Sequence, residues 1–211
     1  MPRDGDATRR SILQSARTEF AAFGLAGARV DRIAARAGCN KERIYASFGD
    51  KQQLHRRVLA EMLEEMRTAT IVEVDEDVAS YIHKSYEFQR RNPALLRMLL
   101  WEALECTAES PLPDEQGRRD CYALSTRALK PHTEGSDEEN ARWLLLTLIG
   151  LSAWPHAVPT LARLVTDDAS ATDEGQEKLR EFLATFAAGG AAATAAMPPG
   201  HTSGGRQDDG A

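Results

Sequence analysis

Five residues with side chains suited to nucleic-acid recognition lie within residues 41–48. They are Lys41, Glu42, Arg43, Tyr45 and Ser47. Lysine and arginine bind phosphate oxygens or guanine edges, serine and tyrosine hydroxyls bind phosphate oxygens, and a glutamate can accept a hydrogen bond from cytosine. A surface that presents all five side chains could therefore contact both the backbone and the bases of a nucleic acid.

The apolar pattern predicts a short helix that presents these side chains. Ile44 and Phe48 are four residues apart, which places both on the inward side of a helix over Lys41–Phe48. A second short helix is predicted over Val30–Ala37, and only three residues, the first of them glycine, separate the two helices. This spacing is typical of a helix-turn-helix, whose second helix can lie in the major groove of DNA.

Apolar stripes before and after this pair predict two further helices. The first covers residues 8–23, and its stripe consists of Ile12, Leu13, Ala16, Phe20 and Phe23. The other begins where Asp50 and Gln53 resemble a capping box, and its stripe consists of Leu54, Val58, Met62 and Met66.

The charge is distributed unevenly along the chain. Residues 1–57 hold 12 Lys and Arg against 6 Asp and Glu, whereas the remaining 154 residues hold 14 against 26. A basic segment in an otherwise acidic protein is where a polyanion would bind, although a solvated charge pattern without a partner is an alternative.

Residues from several positions between 8 and 58 together resemble the tetracycline-repressor family. They are Thr8-Arg9-Arg10-Ser11-Ile12-Leu13, Ala16, Phe20, Gly24, Ile33-Ala34, Ala37-Gly38, Tyr45, Phe48, Lys51 and Leu54. The resemblance implies a DNA-binding head in which Tyr45 and Lys51 contact the DNA backbone. From the residues alone, Tyr45 could instead pack against the protein and Lys51 could be a solvated residue.

The chain departs from the family at the start of the second helix. Arg29 occupies the position where the family usually has a Thr or Ser cap, so the cap and its hydroxyl contact to phosphate are both missing. Arg29 could replace that contact with a charged one and is therefore a further DNA-binding candidate. Asp31 partly offsets the missing cap because it lies near the positive end of the helix dipole.

Helical patterns continue through the rest of the chain. Helices are predicted over residues 75–91, 94–105 and 114–130, from the capping box Ser136-Asp137-Glu138-Glu139 to Trp154, and over residues 172–186. Pro155 and Pro159 are expected to end the helix at Trp154, and residues 160–171 to form an irregular connection with one turn of helix. No strand pattern competes, so the sequence predicts an all-α fold of about nine helices.

The predicted organisation has three parts. Residues 1–55 form the helix-turn-helix DNA-binding domain, residues 56–188 a helical effector-binding and dimerisation domain, and residues 189–211 a disordered tail rich in small and polar residues. The family resemblance implies that the last two helices pair with those of a second copy. A homodimer in turn implies a roughly palindromic operator in double-stranded DNA.

Six Met, Trp and Tyr residues fall on helices that surround an effector pocket in the family. They are Met62, Met66, Tyr86, Met98, Trp101 and Tyr122. Adaptable methionines and aromatic walls suit a small apolar or aromatic effector, although such residues more often belong to an ordinary core.

Several other classes of function lack support in the sequence. No G-x-S-x-G, H-E-x-x-H, phosphate-loop or dinucleotide motif is present, so we expect neither an enzyme nor a cofactor. The three cysteines lack the spacing of a zinc site or a disulfide framework, and we expect reduced thiols. The N-terminus lacks a signal-peptide pattern and the apolar run over residues 143–154 is too short for a membrane span, so a cytoplasmic location without membrane contact is expected.

Two hypotheses about function follow. The first is a transcriptional regulator, a repressor, that binds a palindromic operator as a homodimer and is released by a small-molecule effector. The alternative is a helical ligand-binding dimer with weak or non-specific DNA binding, which the missing cap at Arg29 and the acidic Glu42 favour.

Overall fold

The computed structural model describes residues 3–105, 112–133 and 137–195, and every regular element in that part of the chain is helical. The ten α-helices are α1 Arg3–Gly27, α2 Val30–Ala37, α3 Lys41–Phe48, α4 Lys51–Thr70, α5 Val78–Arg91, α6 Pro93–Glu105, α7 Glu115–Leu129, α8 Glu138–Ala157, α9 Pro159–Val165 and α10 Asp173–Ala195. Single 3₁₀ turns cover Lys130–His132 and Ala169–Ala171. The predicted all-α fold class is confirmed.

Helices α1 to α4 pack into one apolar cluster because the spacing of their apolar residues places one side of each helix inward. Ile12 and Phe20 of α1 meet Ile33 of α2, Ile44 of α3 and Leu54 of α4 in this cluster. Residues of α6 join it, so the head is packed against the helices that follow it. Helix α4 continues without a break through residue 55, where the sequence predicts the domain boundary.

The two short helices have the bounds that the sequence predicts, and a left-handed glycine connects them. Gly38 has φ 68° and ends α2, a conformation that an L-residue rarely adopts. Asn40 then caps α3, since its side-chain oxygen accepts a hydrogen bond from the Arg43 N–H at 2.9 Å. Asp50 caps α4 in the same way through the Gln53 N–H at 2.7 Å.

Helix α1 is longer than predicted and contains a break at Gly24, whose φ of 64° is not helical. The helix starts at Arg3 rather than residue 8, and its last turn resumes after the break. Arg97 and Trp101 of α6 donate hydrogen bonds to the Ala21 carbonyl, in the turn before the break, at 2.9 and 3.3 Å. Helix α6 therefore holds α1 at the point where it bends.

A second apolar cluster joins α5, α7, α8 and α10. Its largest fully buried side chains are Ile82, Tyr86, Leu129 and Leu148. Inside it, the hydroxyls of Ser85 and Ser152 are 2.9 Å apart and hydrogen-bonded, which connects α5 to α8.

The C-terminal part differs from the prediction at three points. Pro155 lies inside α8, which ends only at Ala157; its missing N–H costs a single bond in the last turn. Residues 159–165 form α9, which is longer than the single helical turn predicted within residues 160–171, because Pro159 suits the first position of a helix. Helix α10 continues to Ala195, beyond the predicted end at residue 186.

The extension of α10 means that the predicted disorder is wrong for residues 189–195. Alanine has the highest helix propensity, and Ala187 and Ala191 are buried against the second cluster, so the small side chains suit close packing. Residues 196–211, the rest of the predicted tail, lie outside the described residues.

Over the described ranges no single helix has the length and apolar character needed to cross a membrane. Only α8 and α9 taken together meet that test, and they are bent by 86° relative to each other.

Candidate DNA-binding surface and effector region

Helix α3 presents most of the predicted recognition residues to solvent. Lys41, Glu42 and Arg43 are exposed, Tyr45 is 46% exposed, and Ser47 is half-buried. Ile44 and Phe48 are buried on the opposite side, as predicted, and anchor the helix to the first cluster. The geometry thus supplies an exposed polar surface on a rigid helix.

Lys41 is paired within the protein. Its ammonium nitrogen is 2.6 Å from Asp31 Oδ1 of α2, and this hydrogen bond and the negative charge of Asp31 raise the pKa of Lys41. Both side chains are exposed, so the pair is accessible to competing phosphate oxygens.

Lys51 reaches back to the connection between α1 and α2. Its ammonium donates to the carbonyl oxygens of Ala26 and Ala28 at 3.3 and 3.2 Å. An ammonium has three donors, so two such contacts leave one for a phosphate. Lys51 therefore both holds this connection and places a positive charge next to Arg29.

Arg29 is exposed, and its side chain makes no capping contact with α2. Its backbone N–H instead donates to Oε1 of Glu19, a fully buried residue of α1, at 3.0 Å. Glu19 is absent from the predicted site. It could have been noticed, because it lies on the same side of α1 as Ile12, Ala16 and Phe20, where a charged residue is unexpected.

Arg9 of α1 is a second residue of this surface that is absent from the predicted site. Its Nη1 donates to the Ser47 carbonyl at 3.3 Å, and its guanidinium lies 4.5 Å from the ring centroid of Phe48. Arg9 therefore adds a positive charge near the C-terminal end of α3.

The six predicted effector residues do not lie together. Met62 and Met98 are buried in the first cluster, and Trp101 donates its indole N–H to α1. Met66 and Tyr122 line a crevice of only about 20 Å³ between α4 and α7. Their assignment to an effector pocket stays a prediction.

Tyr86, the sixth residue, lies at the contact of α5 and α10. Its hydroxyl donates to Gln176, and its ring centroid is 4.5 Å from that of His156. It borders a polar crevice of about 240 Å³ that also includes Arg90 and Arg180. Burial raises the pKa of Tyr86 to about 12, so its hydroxyl stays protonated at neutral pH.

An apolar groove of about 610 Å³ runs between α8, α9 and α10. Its lining is Thr147, Gly150, Leu151, Trp154, Pro155, Val158, Leu161, Ala162, Val165, Thr166, Leu179 and Leu183. The hydroxyls of Thr147 and Thr166 donate to carbonyls of their own helices, which leaves the groove few polar groups to offer. None of the six predicted effector residues lines this groove.

Large apolar side chains beside the groove are exposed on α8 and α10. Together with Trp154 of the groove they form a surface that we call the α8–α10 face, which consists of Trp143, Leu146, Trp154, Phe182 and Phe186. Phe182 and Phe186 stack, with ring centroids 6.2 Å apart. Large exposed apolar side chains of this kind often mark a surface where another protein binds.

Two of the described histidines contact protein oxygens rather than each other. His83 Nε2 is 3.2 Å from Glu181 Oε2, and His132 Nε2 is 3.0 Å from the Glu76 carbonyl oxygen. Within residues 3–105, 112–133 and 137–195, no group of three His, Cys, Asp or Glu side chains is arranged to hold a metal ion.

Comparison with known proteins identifies both parts of the chain. Residues 12–58 match the bacterial regulatory proteins of the tetR family, and residues 77–188 match the tetracyclin repressor-like C-terminal domain. A curated relative, the HTH-type transcriptional repressor SCO4008 of Streptomyces coelicolor, is 36% identical over 185 residues, which cover 86% of this chain and 93% of the relative.

Solved structures show the same fold. The crystal structure of SCO4942 from Streptomyces coelicolor has a TM-score of 0.70 and 26% identity, and the alignment covers 85% of this chain and 96% of that one. A transcriptional regulator from Rhodococcus sp. RHA1 has a TM-score of 0.59 and 20% identity, with 87% and 97% covered. The helix-turn-helix geometry, the two family matches and the curated relative agree, and the chain therefore belongs to the tetracycline-repressor family of bacterial transcriptional regulators.

Proposed function

We propose that this regulator is a repressor that binds a palindromic operator in double-stranded DNA as a homodimer and is released by a small apolar or aromatic effector, within the cytoplasm. The observation that carries the proposal is the exposed polar side of α3, held in place by buried Ile44 and Phe48 on its other side. A rigid helix of this kind suits base recognition in the major groove.

The side chains of the proposed surface divide between bases and phosphates. Glu42 and Arg43 project from the first turn of α3, the part of a recognition helix that contacts base edges. The remaining candidates carry positive charges or hydroxyl groups suited to phosphate, and they are Arg29, Lys41, Tyr45, Ser47 and Lys51. Phosphate contacts fix the position of the head on DNA, whereas base contacts select the sequence.

The α8–α10 face supports the proposed homodimer. Pairing two copies through this face would remove its exposed aromatic side chains from water, which is the main favourable contribution to association. The groove borders the same face, and we expect the second copy to cover both. Two heads held in this way would contact two operator half-sites about one helical turn apart.

The contact between α6 and α1 supports a route from effector to DNA. Arg97 and Trp101 donate to the Ala21 carbonyl of α1, so a displacement of α6 would also displace α1 in the head. An effector that binds better to the displaced conformation lowers DNA affinity by its differential affinity for the two states. Couplings of this kind are typically about 1–3 kcal/mol.

Selection from a pool of random duplexes tests the proposed operator binding. The purified protein should enrich a roughly palindromic sequence and retain it when salt removes non-specific binding. Arg43→Ala should weaken binding to that sequence by about 1–3 kcal/mol and relax the preference at one base position per half-site. Lys51→Ala should weaken binding to all duplexes alike and lower the slope of log affinity against log salt concentration by about one unit per head.

Arg57→Ala is a matched control for both variants, because Arg57 is an exposed cation of α4 that pairs with Glu61 outside the proposed surface. It should bind the selected duplex like the unaltered protein. Enrichment of no sequence, or loss of all preference at moderate salt, would instead support the alternative of a ligand-binding dimer with non-specific DNA binding.

A further inference from the structure

Glu19 is a fully buried carboxylate that faces α2. Its Oε1 accepts hydrogen bonds from the Arg29 N–H at 3.0 Å and from Arg32 Nε at 2.6 Å, and its Oε2 lies 3.9 Å from Arg36 Nη1. Residues 29, 32 and 36 lie along one side of α2 and its cap. One carboxylate of α1 therefore contacts α2 at its start, its first turn and its last turn.

These contacts keep Glu19 charged despite its burial. Burial alone would raise the pKa of the carboxyl group, but the hydrogen bonds from Arg32 and Arg29 and the charges of Arg32 and Arg36 lower it by more. The net result is a pKa below the ordinary value, so Glu19 is a carboxylate at neutral pH.

The arginines that contact Glu19 also contact the backbone of α1. Arg32 Nη2 donates to the Gly27 carbonyl at 3.0 Å, and its guanidinium lies 4.2 Å from the ring centroid of Phe23. Arg36 Nη1 donates to the Ser15 carbonyl at 3.3 Å. Helix α2 is thus held against α1 along its whole length.

Helix α2 needs this support because it has no cap of its own. It contains eight residues, and isolated helices of that length are unstable without tertiary contacts. Arg29, at the N-cap position, provides no side-chain acceptor for α2, and its own backbone N–H is bound by Glu19, as the glutamate of a capping box would do from within the helix.

We propose that Glu19 is a positioning residue for DNA binding, which ties the uncapped start of α2 to α1 and leaves the side chain of Arg29 free to contact phosphate. A Ser or Thr at position 29 would have to cap the helix and bind phosphate with the same hydroxyl. In this chain Glu19 holds the start of the helix, and the side chain of Arg29 is left for phosphate. The inference rests on the proposed function, because it assumes that α2 and α3 together read DNA.

A double-mutant cycle tests the division of tasks. The probe is the duplex selected by the unaltered protein, and the variants are Glu19→Leu, Arg29→Thr and the two combined. Glu19→Leu fills the buried site but removes the acceptor, and it should weaken binding about tenfold. The threonine hydroxyl would accept from the N–H of residue 32 and not satisfy the N–H that Glu19 binds, so in the Arg29→Thr background Glu19→Leu should weaken binding by about the same factor. Arg29→Thr alone should lower the slope of log affinity against log salt concentration by about one unit per head.

Glu65→Leu is the matched control, because Glu65 also pairs with an arginine, Arg17 at 2.7 Å, but on the exposed side of α4. It removes the same charge and should leave affinity for the duplex unchanged. Glu19→Gln keeps an acceptor for the Arg29 N–H and should lose less affinity than Glu19→Leu. Thermal unfolding is followed for each variant, and if Glu19→Leu does not fold, the cycle is run with Glu19→Gln.

Two results would overturn the inference while the proposed function stands. One is an affinity loss from Glu19→Leu that disappears when threonine replaces Arg29, and the other is no loss in either background. Failure of the unaltered protein to select any duplex would overturn the proposed function and the inference together.

Discussion

Phe182 allows a direct measurement of what the α8–α10 face contributes to self-association. Its side chain is 64% exposed on α10 and stacks on Phe186. Phe182→Ala removes most of the exposed ring and should have little effect on the folding of a single copy, because the ring is not part of the buried core. Its main effect should therefore be on the association of two copies.

The size of the effect follows from the exposed area. A phenylalanine side chain offers about 200 Å², of which roughly 130 Å² is exposed here, worth roughly 3 kcal/mol if a partner covered all of it. Alanine keeps part of this contact and a partner covers only part of the ring, so roughly half of this free energy is lost per copy. Both copies carry the change in a symmetric dimer, which gives roughly 3 kcal/mol and an increase of about 100-fold in the dissociation constant.

Sedimentation equilibrium over a range of protein concentrations measures this constant. Leu104→Ala serves as the control, because Leu104 is 79% exposed on α6, outside the α8–α10 face. It should leave the dissociation constant within about threefold of the unaltered value, the scatter expected for surface substitutions. If Phe182→Ala changes the constant no more than the control does, the α8–α10 face is not where two copies meet.

Two further predictions concern folding. In thermal unfolding, Gly24→Ala should lower the free energy of unfolding by about 1–3 kcal/mol, because a Cβ at φ 64° is strained and would lie 3.0 Å from Trp101. Gly189→Ala is the control, because Gly189 has open space around it, and it should not destabilise the protein. Burial, helped by the positive charge of Arg90, lowers the pKa of His156 below its ordinary value of 6.5. The unfolded chain then takes up the proton at higher pH than the folded chain, so the free energy of unfolding should fall as the pH decreases from about 7.5 through 6.5. His156→Phe should flatten this dependence in chemical denaturation, and an unchanged slope would contradict the argument.

The helical head could be predicted from the sequence because its signals are local. The bounds of α2 and α3 follow from apolar residues four apart and from a glycine and an asparagine in the connection, and the structure has the same bounds. The exposed side of α3 follows from the same periodicity, since Ile44 and Phe48 must face inward.

Contacts between distant parts of the chain could not be predicted in this way. The ion pair of Lys41 with Asp31, the carbonyl contacts of Lys51 and the role of Glu19 depend on how helices cross, which no local pattern specifies. The sequence showed only that Arg29 lacks a hydroxyl, and the structure adds that its backbone N–H is bound by Glu19.

The C-terminal differences have a common physical origin. Small residues after position 186 resemble a flexible tail by composition, yet Ala187 and Ala191 fit the close contact between α10 and the second cluster. The predicted effector residues were selected by type and helix, without knowledge of which side of each helix is buried. Met62 and Met98 accordingly turn out to lie in the first cluster.

The fluorescence of Trp101 can report on the contact between α6 and α1. The chain has three tryptophans, and the other two, Trp143 and Trp154, are exposed on the α8–α10 face. Replacing those two with phenylalanine would leave a single emitting indole, hydrogen-bonded to the Ala21 carbonyl beside the break in α1. The wavelength of its fluorescence depends on that bond and on the polarity around the ring, so opening of the contact between α6 and the head can be followed in real time without an attached dye.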